Sequence, residues 1–348
     1  MPSDIPQFAL NNGTKIPAVG LGCWMGSPGG GARVYEMVQK AIKNGYRHFD
    51  TAAGYEANQP TKNRSGRPSE ILEFPEASFT SQRSWGIVPV HMFRPLWRLI
   101  LPTLDYHRNT DHHRVQDAFT ESLQKLDSDY IDLYLMHWPQ ASVEGRVLPP
   151  EESPTIVETW KEMEKLLATG KVKTLGVSNF SIKTLGTLLP HSSVVPATNQ
   201  VELHPFLPSV ALKAFCEEKG ILLTAYSPLG NSRTAYAGRP SDDVPGLISD
   251  PTVVRVAKKL SIDPGQVLLS WAVQKNIIVV PKTENETRMR TNITLVTLPP
   301  EDLEVIDNLH TEPGKHRSLL GYHSAAGEVF GWTYEWLGWN MKEGGIVV

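Results

Sequence analysis

Cysteine is nearly absent from this chain of 348 residues, which holds only Cys23 and Cys216. Two thiols cannot build a disulfide framework or a cysteine-based metal centre, so both classes of protein are excluded. An excess of charge of one sign is also lacking, since 34 lysines and arginines stand against 37 aspartates and glutamates, for a net charge of −3. This balance disfavours a protein built to bind nucleic acid or a membrane surface.

No long apolar run interrupts the chain. The most apolar long stretch, residues 85–104, contains Arg94, Arg98 and prolines, so it is not expected to cross a membrane. The N-terminus has no basic segment followed by an apolar one, and no signal peptide is expected. We therefore expect a cytoplasmic protein.

Short apolar segments alternate along the chain with segments of helical periodicity. Asn11-Asn12-Gly13 predicts a hairpin turn, residues 32–44 have the spacing of an amphipathic helix, and Ser153-Pro154 predicts the start of another. This alternation predicts a parallel sheet, and about eight repeats predict a closed (β/α)8 barrel with its chemistry at the carboxyl ends of the strands. The predicted strands are 19–23, 48–50, 131–138, 173–179, 199–203, 222–227 and 277–282.

One stretch, residues 56–108, does not follow this alternation. It carries scattered prolines and aromatic residues and shows no clear helix or strand pattern. A loop of this length is uncommon inside a compact domain. The sequence therefore predicts a single barrel domain over 1–348, whose third strand–helix unit is disrupted by an atypical, disordered segment.

Six short motifs begin or follow the predicted strands. They are GLGCW at 20–24, DTAAGY at 50–55, LMHWP at 135–139, GVSNF at 176–180, NQVELHP at 199–205 and AYSPLG at 225–230. Together they resemble the aldo-keto reductase family over residues 8–55 and 109–348. The C-terminal strings HRSLLGYHS and VFGWTYEWLGW are similar to its fungal glycerol dehydrogenase and glyceraldehyde reductase branch. The resemblance implies a monomeric (β/α)8 barrel that uses NADP(H) on small carbonyl or polyol substrates, with residues 310–348 near the substrate pocket.

The resemblance also implies which residues act. Tyr55 would donate the proton, and because a free phenol has a pKa near 10, the family assists it with a lysine paired to the aspartate at Asp50. His137 would orient the carbonyl, and Trp24 and Trp138 would line the substrate pocket. The implied NADP(H)-binding residues are Ser178, Asn179 and Gln200 for the nicotinamide amide, Tyr226 for stacking, Ser227 and Leu229 beside it, Lys282, Thr283 and Arg288 for the 2′-phosphate, and Asn292 for the adenine.

Simpler structural interpretations exist for several of these residues. Asp50 can be a helix N-cap, and Ser178-Asn179 can be ordinary turn residues. Gly20-Leu21-Gly22 matches a dinucleotide-binding loop only weakly. His112-His113 is a possible metal pair, but no third ligand is evident and no metal site is expected.

The family's catalytic lysine is missing. It precedes the Asn-Thr-Asp-His-His element, here at 109–113, by three residues, and this chain has Tyr106 there. One interpretation is a catalytically impaired NADP-binding barrel. Another comes from back-translating residues 67–85 one nucleotide earlier, which permits AIRDSGIPRSKLHVTTKL, a family-like third strand with its lysine. We hypothesise that 67–85 is translated out of frame and that 86–108 is a translated intron, which transcript sequencing tests.

Overall fold

The computed structural model describes residues 5–25, 31–52, 97–101, 113–126, 128–143, 145–230, 246–324 and 326–348, with 97–101 and 113 described by their backbone. The strands in chain order are β1 (Gln7–Ala9), β2 (Lys15–Pro17), β3 (Leu21–Gly22), β4 (His48–Ala52), β5 (Trp97–Leu101), β6 (Ile131–Met136), β7 (Ser142–Val143), β8 (Arg146–Val147), β9 (Val172–Ser178), β10 (Thr198–Glu202), β11 (Leu222–Tyr226), β12 (Ile278–Val279), β13 (Glu328–Val329), β14 (Trp332–Thr333), β15 (Met341–Lys342) and β16 (Ile346–Val347). The helices are α1 (Gly31–Lys43), α2 (His113–Lys125), α3 (Ile156–Leu167), α4 (Ile182–Leu188), α5 (Val210–Glu218), α6 (Pro251–Leu260), α7 (Pro264–Gln274), α8 (Glu286–Ile293), α9 (Pro300–Asp307) and α10 (Tyr334–Leu337).

A parallel sheet lies at the centre of these residues. Its hydrogen-bonded order is β3-β4-β5-β6-β9-β10-β11-β12. The two ends of the sheet meet, because Gly20 N–H donates to the Val279 carbonyl at 2.8 Å and Val279 N–H donates to the Ala18 carbonyl at 2.9 Å. Every residue of β6 is buried, as expected for a strand covered on both faces. The predicted (β/α)8 barrel is confirmed.

Two glycines permit the closure of the barrel. A Cβ on Gly20 would lie 2.7 Å from the His48 imidazole, and a Cβ on Gly22 would lie 2.7 Å from the Val280 carbonyl oxygen. Both contacts are shorter than a side chain tolerates. The Gly-Leu-Gly string therefore serves close packing between strands, and its last two residues form β3.

The third barrel strand corrects the sequence prediction. Residues 56–108 were expected to contain no strand, but β5 pairs in parallel with β4 from His48–Trp97 to Ala52–Leu101 and with β6 at Leu99 and Ile100. Two flanking strands leave backbone donors and acceptors that a strand between them must satisfy. The apolar run WRLIL suits that position. The rest of 56–108 lies outside the described residues, so its disorder stays a prediction.

Local turn and cap chemistry sets the other element boundaries. The predicted hairpin is present, since β1 and β2 pair antiparallel around Gly13, whose φ of +83° is the left-handed conformation that glycine favours. The helix expected to start at Ser153-Pro154 instead begins after Thr155, which forms a capping box with Glu158.

Among the described residues, no helix is long and apolar enough to cross a membrane.

Candidate functional site

The carboxyl ends of the barrel strands bring the predicted polar residues to one end of the barrel. Asp50 lies on β4, His137 follows β6 directly, Ser178 ends β9, Gln200 lies on β10 and Tyr226 ends β11. The strands that carry them are neighbours or are separated by one strand in the barrel. Asp50 therefore lies within a strand, and its interpretation as a helix N-cap was wrong.

Asn179 is the centre of a hydrogen-bond cluster at this end. Its side-chain N–H donates to the His137 carbonyl at 2.9 Å and to Ser178 Oγ at 3.1 Å. Its Oδ1 accepts from the Tyr226 hydroxyl at 2.7 Å, and Ser178 Oγ donates to the Gln200 carbonyl at 2.7 Å. The Asn179 backbone has φ of +64°, which asparagine tolerates better than most residues. These contacts give the cluster a fixed arrangement of amide and hydroxyl groups.

The Asp50 carboxyl is buried next to this cluster. Gln200 Nε2 approaches Asp50 Oδ1 at 3.4 Å, and none of the described residues forms a salt bridge with Asp50. Burial raises the pKa of Asp50 to about 7, and the contact with Gln200 opposes that rise. A buried carboxyl without a cationic partner takes up a proton more readily than an exposed one.

His137 is a neutral imidazole at this end of the barrel. Burial lowers its pKa to about 4, so at neutral pH the ring has one N–H to donate. Tyr55, the predicted proton donor, and Tyr106, at the family's lysine position, both lie outside the described residues. Their proposed roles therefore stay predictions.

Aromatic residues of the C-terminal segment surround Trp138. Its ring packs edge-to-face on Phe330 at 4.9 Å and on Tyr322 at 5.6 Å, and it lies 6.2 Å from Trp339. The Tyr322 hydroxyl also lies 2.9 Å from that of Tyr226. The sequence reasoning placed Trp138 in the pocket but missed these three residues, whose only local signal is the aromatic density of 322–339. The other predicted pocket residue, Trp24, is half-buried two residues after the end of β3.

A second polar cluster lies where β12 leads into α8. Thr283 is buried, and its Oγ1 lies 3.3 Å from Arg288 Nε. Arg288 forms no salt bridge with any described residue, whereas Lys282 Nζ is 2.7 Å from a carboxylate oxygen of Glu284. A guanidinium that forms no salt bridge with the described carboxylates and lies beside a hydroxyl can bind a phosphate group.

Two of the remaining predicted cofactor residues, Leu229 and Asn292, lie close to Gly265 on α7. A Cβ on Gly265 would lie 3.8 Å from a methyl of Leu229 and 4.0 Å from Asn292 Oδ1. Asn292 is buried on α8. Ser227 takes φ of +49°, and its carbonyl accepts from Gly230 N–H at 2.9 Å. Among the described residues, no group of three or more histidines, cysteines or carboxylates could hold a metal ion, and His112 lies outside them.

Comparison with known proteins identifies this arrangement. The model of the aldo/keto reductase family matches residues 18–311. The chain belongs to the aldo/keto reductase family. It is 36% identical over 333 residues to the glycerol 2-dehydrogenase (NADP(+)) of Saccharomyces cerevisiae, covering 89% of this chain and 92% of the relative. It is 35% identical over 326 residues to aldehyde reductase YPR1 of the same yeast, covering 88% and 92%.

Solved structures agree with this assignment to the aldo/keto reductases. The aldo-keto reductase AKR2E5 of the silkworm Bombyx mori, in its complex with NADPH, superposes with a TM-score of 0.67 at 27% identity, over 88% of each chain. The family resemblance drawn from six short motifs is therefore confirmed. The individual roles of the aldo/keto reductase site residues remain predictions.

Proposed function

We propose that this chain reduces small aldehydes and ketones to alcohols with NADPH, and in reverse oxidises polyols such as glycerol. The observation that carries the proposal is the neutral His137 beside the fixed amide and hydroxyl cluster of Ser178, Asn179 and Gln200. The relatives named as a glycerol dehydrogenase and an aldehyde reductase support the same substrate class. We further propose that the protein is a cytoplasmic monomer.

The two polar clusters fit the two ends of NADPH. The amides of Asn179 and Gln200 with the Ser178 hydroxyl would hold the nicotinamide carboxamide, and Tyr226 would stack on the ring. Thr283, Arg288 and Lys282 would hold the 2′-phosphate, Asn292 the adenine, and Ser227 and Leu229 would lie beside the cofactor between these ends. Bound NADPH supplies the hydride that reduces the carbonyl carbon.

The protein supplies the proton and the positioning of the substrate. We propose that the Tyr55 hydroxyl gives its proton to the carbonyl oxygen while the neutral His137 donates a hydrogen bond to the same oxygen. Trp24 and Trp138 would hold the substrate and keep water away from it. The aromatic partners of Trp138 on the C-terminal segment fix the orientation of its ring.

A second candidate function is an NADP-binding barrel with impaired catalysis. The observation that favours it is Asp50, whose carboxyl has a pKa raised by burial to about 7 and no salt bridge to the described residues. A lysine ammonium in contact with both the Asp50 carboxylate and the Tyr55 hydroxyl would lower the pKa of the phenol. This chain has Tyr106 at the family's lysine position. An unpartnered carboxyl has no such effect on Tyr55.

One experiment separates the two candidates. Purified protein is titrated with NADPH by fluorescence, and NADPH consumption is then followed by absorbance with glyceraldehyde as substrate. Binding with steady turnover supports the reductase, and binding without turnover supports the impaired barrel. Failure to bind NADPH contradicts both.

A further inference from the structure

Glu284 forms a bridge between two cations at the edge of the second polar cluster. Its Oε1 lies 2.7 Å from Lys282 Nζ and 2.8 Å from Arg33 Nη2, and its Oε2 accepts from Arg33 Nε at 3.2 Å. Arg33 lies on α1, and Lys282 and Glu284 lie between β12 and α8, so the bridge joins the first helix to the segment that follows the last barrel strand. Contacts with Lys282 and Arg33 hold the pKa of the Glu284 carboxyl below its usual value, and the group is ionised at neutral pH.

This contact has a consequence for nucleotide selection. Lys282 is one of the two cations that we assign to the 2′-phosphate, and a phosphate monoester carries a charge of about −1.5 to −2 at neutral pH. The negatively charged Glu284 carboxylate already pairs with the Lys282 ammonium group. We propose that Glu284 is a specificity-determining residue that competes with the 2′-phosphate for Lys282 and so reduces the preference for NADPH over NADH. The inference rests on the proposed NADPH function.

The competition acts on only one of the two nucleotides. NADH has no 2′-phosphate, so its binding does not require Lys282 to leave Glu284. The Arg288 guanidinium pairs with no carboxylate of the described residues, so it stays available to the 2′-phosphate. The protein therefore still prefers NADPH to NADH. The Lys282 and Glu284 side chains are about one-third exposed, so water screens their pair and the effect is moderate.

Arg33 acts through Glu284. Its guanidinium shares the Glu284 carboxylate with Lys282 and so lowers the negative charge that Lys282 meets. When Arg33 is removed, the Glu284 carboxylate pairs with Lys282 only. Its competition with the phosphate for Lys282 then becomes stronger. Without Glu284, Arg33 acts on Lys282 and on the phosphate only through its own solvent-screened charge, so its removal should change selectivity much less.

The test compares the dissociation constants of NADPH and NADH for the wild type and for Glu284→Gln. We expect Glu284→Gln to tighten NADPH by about twofold to fivefold and to leave NADH nearly unchanged. The matched control is Glu286→Gln, which removes the same charge two residues away, where the carboxylate pairs with Arg290 at 3.7 Å. The control should shift the NADPH-to-NADH ratio much less.

Arg33→Ala completes the experiment. We expect it to lower the preference for NADPH in the wild type and to lower it much less in the Glu284→Gln background. An unchanged ratio in Glu284→Gln overturns the inference, and so does an equal shift in Glu286→Gln, which would assign the effect to net surface charge. A wild type that binds NADPH with no response to Glu284→Gln contradicts only this inference. A wild type that binds neither nucleotide contradicts the proposed function as well.

Discussion

At the scale of single residues, Asp50 makes stability depend on pH. Its folded-state pKa of about 7 lies above the ordinary value near 4, so the folded state binds the proton more tightly than the unfolded state. The stabilisation is complete below the unfolded pKa and is lost as the pH rises through the folded one. We expect the unfolding free energy to fall by a few kcal/mol between about pH 4 and pH 8 from this group.

Urea unfolding across that range, in the wild type and in Asp50→Asn, measures the effect. The asparagine cannot ionise, so the difference between the two proteins should favour the wild type increasingly as the pH is lowered. A difference that does not change with pH would show that Asp50 has a cationic partner outside the described residues.

Arg288 is the residue whose loss should most affect NADPH binding. Charge-assisted contacts to a phosphate contribute about 1.5–3 kcal/mol each, so Arg288→Ala should weaken NADPH by more than about tenfold and NADH far less. Arg290→Ala is the control, because Arg290 lies on the same helix and pairs with Glu286. Equal losses for both nucleotides in Arg288→Ala would reject the 2′-phosphate assignment.

The Tyr55 hydroxyl is proposed to act only on the reacting oxygen. Tyr55→Phe should therefore abolish carbonyl reduction and leave the dissociation constant of NADPH nearly unchanged, because a group used only in the transition state contributes nothing to cofactor binding. Single-turnover rates with glyceraldehyde and a parallel NADPH titration measure both quantities. Turnover retained in Tyr55→Phe would mean that another group donates the proton.

At the scale of elements, hydrophobic pattern was enough for the barrel strands other than the third. Those strands are buried apolar runs bounded by turn residues, and the alternation with helices fixes their parallel arrangement. β5 was missed because its five residues lie in a proline-rich stretch, where a short apolar run has no periodicity to distinguish it. It is the pairing of the strands on either side, a tertiary property, that favours a strand there.

The same limit applies to the site. Motif strings predicted the residues that lie together at the carboxyl end of the barrel, because those residues lie on the barrel strands or directly after them. The contact between Arg33 and Glu284 joins residues 251 positions apart, and that between Tyr226 and Tyr322 joins residues 96 apart. No local pattern predicts such pairs, since each partner alone is an ordinary surface charge or a core aromatic residue.

At the scale of the whole molecule, closing the barrel and assisting the proposed proton donor are separate requirements. β5 supplies the backbone pairing that the third unit needs, so the prediction that this unit is disrupted was wrong for its strand. The pairing of β5 does not supply the lysine that the family uses to assist its tyrosine, since no lysine occurs between Lys62 and Lys125. Closure of the sheet is a property of backbone geometry, whereas lowering the pKa of Tyr55 needs a cation at one position.

The last prediction compares two versions of the molecule: the present chain, and one in which residues 67–108 are replaced by the recovered segment with its lysine. Proper acid–base assistance contributes about a hundredfold or more, so the present chain should reduce glyceraldehyde at least about a hundredfold more slowly. Both versions should bind NADPH with similar affinity, because the predicted cofactor residues lie outside the replaced segment. Steady-state rates of glyceraldehyde reduction and NADPH titrations of the two proteins measure the difference in turnover and in cofactor affinity. Comparable rates would mean that residues 56–108 provide their own cation to Tyr55, and that the absence of the family lysine has been compensated within this chain.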